Sequence, residues 1–486
     1  MSYMKYILAR LLIALAVLTT LIGISYYALA SAQGVRAASI HWFRLFSSKE
    51  INTLLRAVAV DSGRVFIAFQ VVKEFFTVSA TDEDGKLIGS FNYYDIGNAT
   101  VLTPHGGYLY IGTNAGVLLK VDEETMKPVF AYLIEPEGNK ELPITDVRVA
   151  NVEGKTYVFV AVELIDKPYS YIAVLLDRGD SLEHVVTWII KTPENSGCSP
   201  IEYMSVSNGA VNFIQVSEYS NKAYIGKLLY GEGNIEWAWS APYVDASAHP
   251  MVTVGKDVVY AVVPLLVGRD SYGGLYAFSA KGELLLNVMI GDSVRFTYIA
   301  MASNEKLYVV GDTLVKEAKD AVVCEVDPKS GEVLRAWSIG GDLDEVVLDP
   351  HYSVIADYIY VGGVTMSYGY KGYTSAFTAL LSPALTEGDI YKWDKAPPYS
   401  EPEDGVYVKA PEYVTSEGKV EEASLTVDKV DSAIESFEVK SESVEVETYI
   451  AINEKTPEPV PEPWLISIAV IAIALLVIYR LKGRRT

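Results

Sequence analysis

The stretch "GGYLYIGTNAGVLLKVDEETMKP", residues 106–128, alternates short apolar runs with turns. The runs "YLYIG" and "GVLLKVD" have the length and composition of half-buried strands, and "EETMKP" has the composition of a turn between strands. The stretch shows no helical period of useful length. It therefore predicts antiparallel strands joined by tight turns.

Apolar pentads like "YLYIG" recur along the chain. They are "VFIAF" at 65, "YLYIG" at 108, "YVFVA" at 157, "VNFIQ" at 211, "VVYAV" at 258, "LYVVG" at 307 and "YIYVG" at 358, separated by 43, 49, 54, 47, 49 and 51 residues. Each pentad is preceded by a turn and followed by a second apolar strand and usually by a third strand with an aromatic residue. Repeats of this length and pattern predict an all-β fold, a seven-bladed β-propeller of four-stranded antiparallel blades over residues 40–395.

The segment "IHWFRLFSS", residues 40–48, precedes the first repeat and reads as one more strand. We expect it to pair with the last repeat, near "DIYKWDK" at 389–395, and so to close the ring. Closure would leave no blade without a neighbour on either side.

Two segments, "GGYLYIGTNAGVLLKVDEETMKP" and "CEVDPKSGEVLRAWSIGG", resemble the PQQ-like β-propeller repeat. That repeat has a Y-V-G-T strand, a strand ending in Asp, a T-G-type turn and a strand carrying Trp. The resemblance extends over about residues 40–395 and implies a fold rather than a function. Quinone-dependent enzymes of the family use adjacent cysteines and a calcium ion, and Cys198 and Cys324 are not adjacent. No cofactor is therefore predicted.

Calcium remains an alternative at two acidic turns, "TDEDGK" at 81–86 and "GGDLDEVVLD" at 340–349. Neither matches the EF-hand loop, which needs Gly at its sixth position and Glu at its twelfth. The histidines His105, His249 and His351 precede their pentads by 3, 9 and 7 residues. Such unequal offsets argue against a common ring of metal ligands.

Both ends of the chain are apolar. Residues 1–32 combine a basic start with "LLIALAVLTTLIGISYYALASA" and read as a signal peptide or an uncleaved anchor. Residues 464–481 predict a transmembrane helix, and the basic residues 482–486 predict a cytoplasmic tail. These features predict a cell-membrane protein with one or two spans and with most of the chain outside the cell.

The segment between the propeller and this helix has two parts. Residues 396–455 alternate apolar and acidic residues and predict an acidic β-rich module or a stalk, and residues 456–463, "TPEPVPEP", predict an extended spacer. The V-P-E-P motif with the apolar and basic segments after it resembles the PEP-type sorting signals that exosortase and archaeosortase peptidases remove. That resemblance implies a prokaryotic, archaeal cell surface and a mature chain without the carboxyl-terminal span; the alternative is a permanent anchor.

The net charge of −22 argues against nucleic acid as a partner. Two cysteines in an exported chain of this length exclude a disulfide framework, and their spacing leaves open whether Cys198 and Cys324 pair. Asn98 begins the sequence Asn-Ala-Thr and is a glycosylation candidate.

The loops that join the second strand to the third carry clustered tyrosines. They are "IDKPYSY", "SEYSNKAY", "VGRDSYGG" and "TMSYGYKGYTS". We predict that these side chains form an aromatic binding rim on one face of the ring, and the alternative is that they pack locally over glycine-rich loops. The predicted rim consists of Tyr169, Tyr171, Tyr219, Tyr224, Tyr272, Tyr368, Tyr370 and Tyr373.

The chain contains no G-x-S-x-G and no H-E-x-x-H motif, which argues against hydrolytic chemistry of those classes. The sequence therefore favours a surface binding or scaffold protein for an envelope protein or a glycan. Two alternatives stay open: an exported enzyme, either a glycoside hydrolase or a quinone-type oxidoreductase, and a structural component of a surface layer.

Overall fold

The computed structural model describes residues 42–47 and most of 54–453. The gaps in that range are 62, 73–74, 195–196, 208, 246–248, 292–293, 302–305, 314–319, 341–344, 347–352, 356–357, 366–367, 370–374, 382–389, 394–398, 401–405, 410–414, 418, 420, 424, 437 and 445–446. Residues 41–453 form one compact unit. The two terminal segments predicted to be apolar helices, 1–32 and 464–481, lie outside the described residues. None of the described residues belongs to a helix of the length and apolar character needed to cross a membrane.

The regular structure of the described residues consists of strands. The first is β1 (Trp42–Ser47). Blades 1 to 6 follow, with four strands each: β2 (Leu54–Asp61), β3 (Arg64–Val72), β4 (Phe75–Thr81), β5 (Leu87–Tyr94); β6 (Ala99–His105), β7 (Tyr108–Thr113), β8 (Val117–Asp122), β9 (Pro128–Pro136); β10 (Ile144–Val152), β11 (Lys155–Glu163), β12 (Tyr169–Asp177), β13 (Leu182–Lys191); β14 (Ile201–Ser207), β15 (Ala210–Ser217), β16 (Lys222–Leu229), β17 (Asn234–Pro242); β18 (Met251–Val254), β19 (Val258–Val267), β20 (Asp270–Ser279), β21 (Leu284–Ile290); β22 (Val294–Met301), β23 (Leu307–Thr313), β24 (Ala321–Val326), β25 (Val333–Gly340).

The remaining strands belong to blade 7 and to the carboxyl-terminal part of the unit. They are β26 (Glu345–Val346), β27 (Ser353–Ile355), β28 (Tyr358–Thr365), β29 (Tyr368–Gly369), β30 (Ser375–Leu381), β31 (Ile390–Trp393), β32 (Tyr399–Ser400), β33 (Val406–Lys409), β34 (Thr415–Glu417), β35 (Glu421–Glu422), β36 (Thr426–Val430), β37 (Ser432–Ser436), β38 (Ser441–Ser443) and β39 (Glu447–Asn453).

These strands form a seven-bladed β-propeller, as the repeats predicted. Within each of blades 1 to 6 the four consecutive strands pair in order, and the first strands of neighbouring blades contact one another around the centre. Each of the seven pentads lies in the second strand of its blade, where both faces of the sheet are covered by other blades. The pentads are apolar for that reason.

The ring has two distinguishable faces. In blade 1 the beginning of β2 pairs with the end of β3, through Leu54 and Gln70, and the end of β2 pairs with the beginning of β3, through Asp61 and Arg64. We call the side where first strands begin the upper face and the opposite side the lower face. Loops from second to third strands, and connections from one blade to the next, therefore lie on the upper face.

Blade 7 closes the ring with both ends of the unit. Strand β1 pairs with β30 on one side, through Phe43 and Ala379, and with β39 on the other, through Trp42 and Ile452. The predicted closure by the amino-terminal strand is confirmed, but its partner is β30 rather than residues 389–395. Strand β31, within that range, pairs with the outer side of β39.

Residues 406–453, which we call the strap, add a fifth strand to each blade. The strap runs around the ring in the reverse order of the blades: β33 pairs with β25, β34 with β21, β35 with β17, β36 with β13, β37 with β9, β38 with β5 and β39 with β1. The expectation of a separate acidic module or stalk over 396–455 is therefore corrected. Its alternating pattern fits a strand that is bonded to a blade along its backbone and exposes its acidic side chains.

The strap covers only the upper half of each fourth strand in blades 1 to 6. In blade 1 the pairs Ala80–Gly89 and Thr81–Leu87 leave Ile88 as the extra residue of a β-bulge, and β38 pairs only with residues 91–93. The fourth strands of blades 2 to 6 each show the same register shift, which leaves one extra residue near the beginning of the strand. A bulge disrupts the ladder of backbone hydrogen bonds locally and bends the strand, and in blade 1 the fifth strand pairs only on the upper side of it. The extra residues are Ile88, Val129, Val185, Glu236, Leu285 and Leu334.

Aromatic donors connect neighbouring blades near the lower face at three junctions of the described ring. The Tyr93 hydroxyl of blade 1 donates to the Met126 carbonyl of blade 2 at 2.8 Å, and the Trp188 indole of blade 3 donates to the Tyr230 carbonyl of blade 4 at 3.1 Å. The Trp239 indole of blade 4 donates to the Gly282 carbonyl of blade 5 at 2.9 Å. Each acceptor lies in the turn between third and fourth strands. The aromatic residues of the fourth strands and these turns therefore hold neighbouring blades together.

The turn of blade 4 shows how tight this contact is. Gly233 has a φ of +71°, and a Cβ at this position would collide with the Trp188 ring, whereas a Cβ at Gly231 in the same turn would meet nothing within 4 Å. Gly233→Ala should therefore lower the free energy of unfolding by about 1–3 kcal/mol, through strain in both backbone and core. Gly231→Ala is the control and should change it much less. Denaturant unfolding of both variants tests this, and equal stabilities would contradict it.

The strap should be the least protected part of the ring, because its short strands are largely exposed and held mainly by backbone hydrogen bonds. Ala433 lies in β37 and pairs with Glu135, and two residues further along the Glu137 amide donates to the Asp431 carbonyl at 2.8 Å. Hydrogen-bonded pairs recur at every second residue of an antiparallel ladder, so the Ala433 amide faces β9. Ala433→Pro removes this donor and should speed hydrogen exchange in residues 432–436 and 132–136, with little change in residues 66–70. Lys419→Pro, outside the strands, is the control. Equal exchange rates in these segments before and after Ala433→Pro would show that the pairing contributes no protection.

Candidate functional site

Two of the predicted rim tyrosines are buried rather than exposed. The Tyr171 side chain is 0% exposed, and its hydroxyl donates to Glu137 Oε2 at 2.6 Å. The Tyr224 hydroxyl donates to Glu194 in the same way. Burial, followed by the neighbouring carboxylates, raises the pKa of both tyrosines. The rim prediction is therefore wrong for these two, whose hydroxyls bind connections between blades.

The other predicted tyrosines fall into three groups. Tyr169 is half-buried with its ring edge-on to Tyr171, and Tyr272 is half-buried against the core. Tyr219 is 71% exposed on the upper face. Tyr368 lies in β29, but its side chain is outside the described residues, as are Tyr370 and Tyr373 entirely. Among the rim tyrosines whose side chains are described, Tyr219 alone has the predicted exposure.

A different set of exposed apolar side chains gathers on the upper face of blades 3 to 5. They range from 36 to 71% exposed and lie at the upper end of β19, in the loops from second to third strands of blades 3 and 4, or in the connection from blade 4 to blade 5. We call this set the upper patch: Ile165, Tyr219, Tyr243, Leu266 and Val267. From the sequence, the segments that contain Ile165, Tyr219 and Val267 were considered only for their tyrosines. The aliphatic members of the upper patch were therefore missed.

Backbone hydrogen bonds tie the loops of the upper patch together. The amide of Leu266 donates to the Tyr243 carbonyl at 2.7 Å, and the amide of Val244 donates to the Asn221 carbonyl at 2.9 Å. Tyr219 lies so close to Gly197 that a Cβ there would be 2.6 Å from Tyr219 Cβ. The patch is therefore built on loops that support one another across two blade junctions.

A group of titratable side chains lies among these loops. Cys198 Sγ donates to Glu163 Oε1 at 2.8 Å, and His249 Nδ1 lies 2.6 Å from Glu202 Oε2. Burial is the main cause that raises the pKa of Glu163, and the nearby carboxylates of Glu202 and Glu218 add to it. We call Glu163, Cys198, Glu202, Glu218 and His249 the acidic centre. Its members come from blades 3 and 4 and from the connections that enter blades 4 and 5.

The described residues contain no group of three side chains suited to hold a metal ion. In the turn 81–86, one of the calcium alternatives, Asp82 Oδ1 accepts hydrogen bonds from the amides of Asp84 and Lys86. The other alternative, 340–349, lies mostly outside the described residues. His105 ends β6 at the lower face, His249 belongs to the acidic centre, and His351 is outside the described residues.

The two cysteines do not form a disulfide. Both are buried as free thiols. Asn98, the glycosylation candidate, is half-buried in the connection between blades 1 and 2, and its backbone N–H donates to Asn114 Oδ1 at 2.8 Å. Its modification stays a prediction.

No protein-family model matches the chain, and no curated protein matches it. Three solved structures are similar to it at low identity. The computationally designed Ika8 protein is 12% identical over 68% of this chain and 98% of its own, with a TM-score of 0.37. BamB from Moraxella catarrhalis is 11% identical over 70% and 94%, with a TM-score of 0.38. Hydrazine synthase from Kuenenia stuttgartiensis is 12% identical over 56% and 77%, with a TM-score of 0.40.

Similarities this distant carry no argument about function. The propeller fold stands on the strand pairing of the chain itself. Membership of the PQQ-like repeat family stays a prediction from the two segments that resemble it.

The acidic centre should make Cys198 a slow nucleophile. Burial, followed by the hydrogen bond to Glu163, raises the pKa of the thiol, so little thiolate forms at neutral pH. In a Cys324→Ser background, Glu163→Gln should lower that pKa and speed alkylation by iodoacetamide several-fold. Glu183→Gln, far from the thiol on the lower half of blade 3, is the control. Equal alkylation rates for the two variants would show that the Glu163 charge does not act on Cys198.

Proposed function

We propose that the chain is a non-catalytic binding protein and that its upper patch holds another protein. The observation that carries this proposal is the gathering of five exposed large apolar side chains on one face of three consecutive blades. Isolated exposed apolar residues are ordinary in soluble proteins, but a group of them on adjacent loops marks an interaction surface. Loops held by a rigid sheet are also where binding residues usually lie.

A protein fits this surface better than a glycan does. Sugar rings stack on aromatic faces, but Ile165, Leu266 and Val267 are aliphatic and offer no such face. Aliphatic side chains flanked by Tyr219 and Tyr243 instead resemble the apolar centre of a protein–protein interface.

The chain enters the first strand of the unit, β1, and leaves the last, β39, on the same face of the ring. Trp42 and Ile452 pair at the lower end of blade 7, because Trp42 lies opposite Leu380 at the end of β30. The chain therefore enters β1 and leaves β39 on the lower face of the ring. We propose that residues 1–32 and 464–481 tether the protein to a prokaryotic, archaeal cell membrane, with residues 456–463 as a spacer and the ring outside the cell.

Paired variants of the full chain test this function. Tyr219→Ser with Leu266→Ser removes two members of the upper patch, and Leu285→Ser with Leu334→Ser removes two equally exposed apolar side chains from fourth strands. The full chain is captured from detergent-solubilised membranes with cross-linking, and its partners are compared by mass spectrometry. We expect the upper-patch variant to lose at least one partner by at least about tenfold, since burying each such side chain contributes roughly 1.5–3 kcal/mol and about 1.4 kcal/mol corresponds to a factor of ten.

The control pair should retain that partner. Equal partner sets for the two variants would exclude the upper patch as the binding site. If the folded chain captures no partner, with or without the substitutions, that result would count against a binding function altogether.

A further inference from the structure

The partner of the upper patch can be specified by its chemistry. We infer that it presents basic side chains flanked by apolar ones, so that lysine or arginine reaches the acidic centre while apolar groups cover the upper patch. This inference rests on the proposed function and adds to it the class of segment that binds.

The charge of the loops supports a basic segment. The loops 163–168, 192–200, 217–222, 243–250 and 264–270, with Glu202 beside them, carry seven acidic side chains against three basic ones. Opposite charges across an interface speed encounter and exclude partners of the wrong sign. The acidic residues are Glu163, Asp166, Glu194, Glu202, Glu218, Asp245 and Asp270, and the basic residues are Lys167, Lys222 and Arg269.

The acidic centre lies between the apolar members of the patch rather than apart from them. Glu163 is two residues before Ile165, and Glu218 directly precedes Tyr219. The Glu218 amide also donates to the Cys198 carbonyl at 3.2 Å, which connects the blade 4 loop with the connection that carries the thiol. A segment that covers Ile165 and Tyr219 must therefore pass over carboxylates, and a partner with apolar groups only would leave those charges desolvated and unpaired.

Partial burial strengthens the attraction of these carboxylates for a cation. Glu202 is 14% exposed and Glu163 is also largely buried, so salt screens their attraction for a bound cation less than it would at an open surface. His249 already lies against Glu202, and a basic group of the partner would approach the same carboxylate from the solvent side.

Acidification should weaken such binding. The pKa of Glu163 is raised, so this carboxyl takes up a proton at a higher pH than an ordinary glutamate and the centre loses negative charge. The groups that face it from other elements are Cys198, Glu202, Glu218 and His249. Protonation of Glu163 removes one negative charge from this centre and so weakens its attraction for a basic segment.

Model peptides test the inference on the full chain in detergent. One peptide alternates Lys with Leu, a second alternates Glu with Leu, and a third alternates Lys with Ser, so that charge and apolar content are varied separately. Fluorescence anisotropy at low and high salt gives the affinity of each. We expect the Lys/Leu peptide to bind at least about tenfold more tightly than either of the others, and to weaken at high salt.

Matched variants locate the site. Glu163→Gln with Glu202→Gln keeps the shape of both side chains and should weaken the Lys/Leu peptide about tenfold, while Glu183→Gln with Glu283→Gln, two acidic residues near the lower face, should leave it unchanged. Leu266→Ser should weaken the same peptide and Leu285→Ser should not. Near-ultraviolet circular dichroism checks that every variant keeps its folded core.

The possible failures are distinct. Equal binding of the Glu/Leu and Lys/Leu peptides, or no effect of the two Gln substitutions, would overturn the basic character of the partner. The proposed function would still stand in that case if the Tyr219→Ser, Leu266→Ser variant loses a cross-linked partner. Binding of the Lys/Ser peptide as tightly as the Lys/Leu peptide would also overturn the inference, because it would show that the apolar patch takes no part.

Discussion

No blade of this ring can cover both of its faces by itself, and that constraint governs the rest of the structure. Each four-stranded sheet buries one face against the preceding blade and the other against the following one, and only a closed ring meets this need for every blade. The aromatic side chains that reach the next turn, such as Trp188 over Gly233, fix the distance between neighbours. Strand β1 completes the last sheet, so the ring depends on residues far apart in sequence.

The strap and the bulges together protect the outer edges of the sheets from pairing with another chain. An open edge strand is a template for pairing with another chain, and the strap occupies the upper half of each edge with short strands that each carry at least one charged side chain. On the lower half the bulge bends the edge strand locally, which disfavours regular pairing with another chain. Ile88, Leu285 and Leu334, the extra residues of three of these bulges, are exposed.

The sequence predicted what depends on local pattern. The alternating, recurring pentads predicted the second strands and the number of blades. The strand-like residues 40–48 predicted closure by the first strand. The strap was missed because its strands of two to seven residues have the pattern of any half-exposed strand, and their partners lie as far away as the 410 residues between Trp42 and Ile452. The roles of Tyr171 and Tyr224 were missed because the carboxylates that accept hydrogen bonds from their hydroxyls come from connections between blades. The aliphatic part of the upper patch was missed because an exposed leucine and a buried one look alike in sequence.

The direct pairing of Trp42 with Ile452 has a consequence for how the ring relates to its chain. The first and last strands of the unit are neighbours, so the polypeptide returns to the place where it began after passing around the ring twice, once through the blades and once in reverse through the strap. A short linker between these two points would make the backbone endless, and new ends opened in any exposed loop would yield a circular permutant. The order of the blades along the gene is thus a matter of where the circle is cut, and the fold itself has no preferred beginning.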